Sequence, residues 1–195
     1  METLKIPIAT KNVHKVEEAN EVLREFNVKL VPVDVEKIEI QSDSLEDIAR
    51  FAAVNAFKRF RKPILVEDSG LFIEALNGFP GPYSSYVYRT IGLDGILRLM
   101  KGISNRRAMF VCVVAFALSE NEVYIFKGIV RGTISEQIRG SKGFGFDPIF
   151  IPEGFNKTFG EMDRKEKTAI SHRGKAFRAF GEWISKYRDK LIHSL

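Results

Sequence analysis

The chain carries few reactive or cross-linking side chains: a single cysteine, Cys112, and three histidines in 195 residues. One thiol cannot close an internal disulfide, and His14 and His193 stand at no metal-ligand spacing, so neither a disulfide scaffold nor a Cys/His zinc site nor a Ser/His/Asp triad can be assembled. No uncharged apolar run approaches the roughly 20 residues that cross a bilayer. Met1-Glu2-Thr3-Leu4-Lys5 has neither the basic segment nor the long apolar core of a secretion signal. A soluble, cytoplasmic protein with no membrane partner is the expectation. Internal repeats, low-complexity linkers and the glycine pattern of a Walker loop are missing too.

What is present is enough for one substantial core. At 195 residues and 45% apolar composition, residues 1–195 read as a single domain, with one core or two lobes flanking a cleft. The net charge is +5. Its densest cluster, Lys58-Arg59-Arg61-Lys62, is short and reads as a solvated helix end rather than a nucleic-acid stripe. A mildly basic field also gathers small polyanions. A Lys/Glu-rich composition with only Gln41 and Gln137 as glutamines points to a heat-adapted source.

Hydrophobic periodicity sets out alternating strands and helices. Leu4 to Ala9 reads as a strand in which Pro7, lacking a ladder donor, favours an edge or bulge. Val16, Ala19, Leu23 and Phe26 recur at helical spacing behind Asn12 as N-cap. Val28 to Val33 is a second strand, and Ser44 followed by Asp47 resembles a capping box opening a helix along Leu45, Ile48, Ala52 and Phe57. Ile64 to Val66 supplies the next strand, Asn77 to Pro82 a turn-rich loop, and about Leu93 to Met100 a short helix. Ala108 to Leu118 and Val123 to Val130 read as a hairpin. The last helix has an apolar stripe of Ala176, Phe177, Phe180, Trp183, Ile184, Tyr187 and Leu191, with Ser171 placed to cap it. An α/β fold follows.

Chemistry concentrates at the joints between these elements. Val66-Glu67-Asp68-Ser69-Gly70 ends an apolar run in two carboxylates, at a strand end where open α/β sheets bind ligands. Strand alternation points Glu67 and Asp68 to opposite faces, so only one of them should look into a cleft. Glu39 follows another strand-like segment, and two acids suffice for Mg²⁺ when phosphate oxygens and water complete its shell. Thr10, Asn12 and Lys15 sit where a strand meets a helix N-terminus, a ready anion site, or else form an ordinary cap with a surface lysine. Gly143-Phe144-Gly145-Phe146-Asp147-Pro148 offers rings that can stack on a base, among glycines that let the backbone approach it. His172 and Arg173 stand at a helix start, against its dipole, with Lys167 in the approach. An acid pair, a flat ring and donors for an anion together point to a nucleotide.

Taken in order, Thr10-x-Asn12-x-x-Lys15, Glu39-Ile40-Gln41, Val66 to Gly70 with Ala75 to Gly81, Phe144 to Pro148, and Lys167 through Ser171-His172-Arg173 resemble the inosine triphosphate pyrophosphatase family, also called Ham1-like, nearly end to end. Glu67, where many relatives have Asp, and Lys11, often Gly there, depart from the pattern. The resemblance implies an elongated mixed sheet flanked by helices, two lobes with the nucleotide between them, and a homodimer. It implies Mg²⁺-dependent hydrolysis of ITP, dITP and XTP to monophosphate and pyrophosphate. By the same resemblance Glu39 and Asp68 hold the metal and Asp68 helps activate water. Thr10, Asn12 and Lys15 meet the triphosphate with Ser69 and Lys167 nearby, Phe144 stacks on the base within a loop that includes Gly145 and Phe146, and Asp147, His172 and Arg173 read the base edge. Two other classes stay open on residues alone: a nucleotide sensor, which has no need of the acids, and an RNA-binding module drawing on net charge and exposed aromatics.

Overall fold

The computed structural model describes residues 2–191; Met1 and His193 lie outside them. Leu4–Ala9 forms β1 and pairs in parallel with β2, Val28–Val33, over its full length. Between them α1, Val13–Leu23, starts at Asn12, whose side chain accepts from the Lys15 amide, and ends in a short 3₁₀ turn, Arg24–Phe26. Pro7 lies on an inner strand rather than an edge. The lost donor coincides with a ladder to β3 that is reduced to the single register pair Ile8↔Leu65.

β3 is longer than its apolar run implied, spanning Ile64–Ile73. The acids therefore sit within the strand, not at its end: Glu67 and Asp68 keep full antiparallel register with Val114 and Val113 of β5, Arg107–Ala117. β1 stops at Ala9, level with the start of β3, so beyond that point one side of β3 has no parallel neighbour. The sheet opens there, and the opening takes the place of a strand terminus.

β5 turns into β6, Val123–Ile134, as the hairpin pattern required, and β6 runs four residues beyond Val130, to pair with β7, Phe150–Pro152. With β4, Pro80–Gly81, attached to β3, the order β2-β1-β3-β5-β6-β7 makes one mixed seven-stranded sheet, parallel on one side and antiparallel on the other.

Among the described residues six α-helices flank it. On one face α1 and α6, His172–Leu191, cover Leu65, Cys112, Val114 and Phe116, and the predicted stripe from Ala176 to Leu191 is the helix side that does so. Phe116, Phe126, Phe180 and Trp183 meet there edge-on or tilted, a geometry that adds roughly 0.5–1.5 kcal/mol per pair beyond burial. On the other face α2, Leu45–Phe60, lays Ala49, Ala52, Ala53 and Ala56 against Val66, Val113 and Ala115. Small side chains on both surfaces let helix and sheet approach closely. A third cluster joins Leu71, Ile73 and Phe110 to Ile96 of α4, Gly92–Leu99, and to Phe146, Phe150 and Phe159. Two short helices escaped the periodicity reading: α3, Ser84–Thr90, and α5, Arg164–Ile170, each too brief to show a stripe.

Candidate active site

Where the sheet opens, a cavity of about 660 Å³ is lined by the start of α1, the middle of β3, α3, the glycine-rich loop and the first turn of α6. Thr10, Asn12, Lys15, Glu39, Asp68, Ser69, Phe144, Gly145, Phe146, Asp147, His172 and Arg173 all contribute to its wall. Lys167 does not; it lies behind the wall. A larger hollow of about 940 Å³ over Phe72, Met109, Ile151 and Phe155 contains none of the metal, triphosphate or base contacts expected from the sequence, although Asn77 and Gly78 of the Ala75 to Gly81 motif line it.

Alternation does separate the two acids of β3, yet both reach the cavity, because it wraps around the strand where β1 ends. The expectation that only one would do so is corrected by that opening. Asp68 faces Lys37 and Glu39, while Glu67 faces Lys15 and Arg173. The Lys37 ammonium lies 2.6 Å from Glu39 Oε1 and 3.8 Å from Asp68 Oδ1, so both carboxylates already address one cation. No cluster of three or more His, Cys, Asp or Glu side chains able to hold a metal exists among the described residues. Two hard oxygen donors fit Mg²⁺, which binds through one or two carboxylates and keeps its other positions for phosphate and water. Burial raises the Asp68 pKa; Lys37 and Lys15 pull the other way without overcoming it. Burial also works against the Lys37 charge, but Asp68 and Glu39 outweigh it and hold that ammonium above its ordinary pKa.

Thr10 and Asn12 are used locally, as the bland reading of this turn had it. Thr10 Oγ1 accepts from the Asn12 amide at 3.1 Å, and Asn12 Oδ1 from the Lys15 amide at 3.3 Å. Capping does not remove them from the wall. It fixes the turn that carries Lys15, whose ammonium is 2.7 Å from Glu67 Oε2.

Glu18 is the residue that sequence reading missed. It sits on α1 one turn before Val22, and it is buried. Its carboxylate bridges two cations from the other end of the chain, Lys167 Nζ at 2.5 Å and Arg173 Nη1 at 2.6 Å. Lys167 Nζ also donates to Asp147 Oδ2 at 2.6 Å, and that same oxygen accepts from the Phe144 amide at 2.8 Å. Three acids and three cations thus run from Lys15 through Glu67, Arg173, Glu18 and Lys167 to Asp147 without a break. Buried charges are tolerable only in this paired and hydrogen-bonded form. Burial opposes the Glu18 charge, but Arg173 and Lys167 win and lower its pKa; for Asp147 burial wins and raises it. An acid among the apolar positions of a helix was the available signal for Glu18. Lys37 gave none, since its segment has no regular period.

Arg173 is fully committed on three sides. Nε and Nη2 donate to Glu67 Oε1, Nη2 also to Ser69 Oγ, and Nη1 to Glu18. Of its five N–H groups, four have partners and one on Nη1 is left. His172 lies parallel to the Phe110 ring at 4.6 Å, and its buried Nδ1 has no hydrogen-bond partner. Burial, reinforced by Arg173 and Lys167, holds its pKa well below the usual histidine value, so the ring is neutral and offers one donor and one acceptor. Burial likewise pushes the Cys112 thiol well up; it donates to Glu67 Oε1 at 3.2 Å and is inert.

The two phenylalanines divide. Phe146 is 3% exposed and belongs to the core cluster with Ile149 and Phe150, so its ring is not the stacking surface. Phe144 is half-buried, with the His14 ring 5.6 Å away at 21° and the Lys167 ammonium 4.7 Å from its centre. Gly143, at φ +73°, is obligatory in this loop because a Cβ there would meet Asp147 Oδ2 at 2.1 Å. Lys167, expected near the triphosphate contacts, instead stands at the ring end with Asp147.

The opening of an α/β sheet thus gathers an acid pair, an aromatic ring and several cations around one cavity. Comparison places the chain more narrowly. Residues 6–183 match the model of the Ham1 family, and the chain belongs to that family. It is 52% identical to a dITP/XTP pyrophosphatase of Hyperthermus butylicus over 96% of this chain and 98% of the relative. It is 50% identical to one of Saccharolobus solfataricus over 96% and 97%. Among solved structures a HAM1 protein from Coxiella burnetii superposes with a TM-score of 0.84 at 34% identity, covering 94% of this chain and 99% of that one. A nucleoside-triphosphatase / dITP/XTP pyrophosphatase from Mycobacterium abscessus gives 0.71 at 33% identity, covering 91% and 98%.

Proposed function

We propose that the protein hydrolyses purine nucleoside triphosphates bearing deaminated bases, ITP, dITP and XTP, to the monophosphate and pyrophosphate, and so clears them from the nucleotide pool. Its relatives named dITP/XTP pyrophosphatase support the pool-hydrolase class. The observation that carries the reading is one cavity holding both the Glu39–Asp68 pair and the Phe144–Arg173 pair.

Glu39 and Asp68 would hold Mg²⁺, which when bound neutralises charge on phosphate oxygens. Asp68 also takes the proton from the attacking water. Lys15, on the first turn of α1, supplies positive charge to the departing pyrophosphate. At the other end Phe144 stacks on the base. The uncommitted Arg173 N–H and the unpartnered His172 Nδ1 are the polar groups this reading assigns to the base edge. An acceptor oxygen at C6 matches the guanidinium donor, whereas the amine of adenine leaves donors facing donors. Lys167 serves this end, through Asp147 and the Phe144 loop, rather than the phosphates.

Cytoplasmic residence, on the single cysteine and the N-terminal composition, and a homodimer, on the family resemblance, belong to the same proposal; no described helix is long and apolar enough to cross a membrane. Light scattering giving twice the 22.2 kDa chain mass supports the dimer. The activity is tested by pyrophosphate release from ITP, dITP, XTP, ATP and GTP, with Mg²⁺ and with chelator. Fast turnover of the first three, abolished by chelator and by Asp68→Asn, is expected. Comparable rates on ATP and GTP overturn the base selectivity, and full activity in Asp68→Asn overturns the catalytic site. Tight binding without turnover in the native chain returns it to the sensor class.

A further inference from the structure

Lys37 has no part in the chemistry above, yet it occupies the centre of the acid pair. It lies in the irregular segment between β2 and α2, and its side chain is only 17% exposed. Besides Glu39 and Asp68, its ammonium reaches the Glu67 carbonyl oxygen at 3.1 Å. Two carboxylates and a carbonyl around one compact cation form the kind of oxygen shell that a divalent ion takes. Both cations cannot use it together, because the ion requires ligand oxygens at about 2.0–2.1 Å and would meet the ammonium as a like charge.

We propose that Lys37 is a tethered counter-cation that keeps the Glu39–Asp68 site closed to free divalent metal, and that it moves onto the polyphosphate when metal and nucleotide arrive together. This rests on the reading of those two acids as metal ligands. Without a polyanion, metal binding would expel a partly buried ammonium from its acid partners and give it nothing in return. With one, phosphate oxygens replace the lost carboxylates. Metal and nucleotide are thereby coupled: each raises the affinity for the other.

Mn²⁺ is titrated into nucleotide-free protein and followed by electron paramagnetic resonance, for the native chain, Lys37→Met, Lys37→Gln and Asp68→Asn. Lys37→Met should bind Mn²⁺ at least about tenfold tighter, equivalent to ~1.4 kcal/mol. An imido analogue of ITP should tighten Mn²⁺ binding in the native chain by a larger factor than in the variant. Should Lys37→Met not fold, Lys37→Gln decides, since it keeps a hydrogen-bonding end without the charge. Equal or weaker Mn²⁺ binding in the folded Lys37 variants overturns the proposal while leaving the metal ligands in place. Undiminished Mn²⁺ binding in Asp68→Asn overturns the ligand assignment itself.

Discussion

Replacing Glu18 by Gln removes one charge and almost no volume from the centre of the buried chain. An amide oxygen can still accept from one of the two cations, but its NH₂ then faces the other, and donor meets donor. Each Glu18 contact, at 2.5 Å to Lys167 and 2.6 Å to Arg173, is worth about 6 kcal/mol of gross Coulomb attraction at an effective dielectric of 20. Returning Glu18 to water in the unfolded state offsets most of this. Removal of one member of a buried ion network costs roughly 3–5 kcal/mol net. At roughly 2–4 °C per kcal/mol for a chain of this size, the midpoint falls by roughly 10 °C. Thermal and urea unfolding at neutral pH measure it, and added salt should change the difference little, because water and ions do not reach the pair. The Glu18 pKa is lowered in the folded state, so its stabilisation is full above the unfolded value near 4.5 and fades as pH falls. Native and Glu18→Gln curves should therefore converge in acid. A loss below about 1 kcal/mol would refute the network reading and return Glu18 to the class of weak surface pairs.

Two further outcomes follow from the same geometry. Gly128 of β6 abuts the first turn of α6, where a Cβ would lie 1.9 Å from the His172 carbonyl oxygen and 2.6 Å from the Ala176 nitrogen. Gly128→Ala should displace His172 and Arg173 together and lower kcat/KM roughly 100-fold while circular dichroism stays native; unchanged kinetics would sink the claim that this contact positions them. His172, kept neutral in the fold, contributes stability that is full above its unfolded pKa near 6.5 and is lost as pH falls below it, at up to about 1.4 kcal/mol per pH unit. Urea unfolding of the native chain and of His172→Gln between pH 7.5 and 5 checks this, and parallel curves would show that His172 titrates alike in both states.

What the sequence determined by itself is what repeats locally. The α6 stripe, the Asn12 and Ser44 caps and the β5–β6 hairpin follow from periods of 3.6 and 2 and from cap chemistry, which involve residues a few positions apart. Ordered motifs likewise singled out Asp68, Phe144 and Arg173, all of which line the cavity, although Asp68 does so from within β3 and not from a joint between elements. Only the tertiary structure decided how charges pair. Glu18 meets Arg173 across 155 positions and Lys167 across 149, and Lys37 reaches Asp68 from an irregular segment; neither pairing leaves a period to read. Nor could an apolar run reveal that β3 continues through Glu67 and Asp68, since those acids are held in the strand by cations from other elements. Local pattern encodes which element forms, whereas burial of charge is settled only when distant elements close over it.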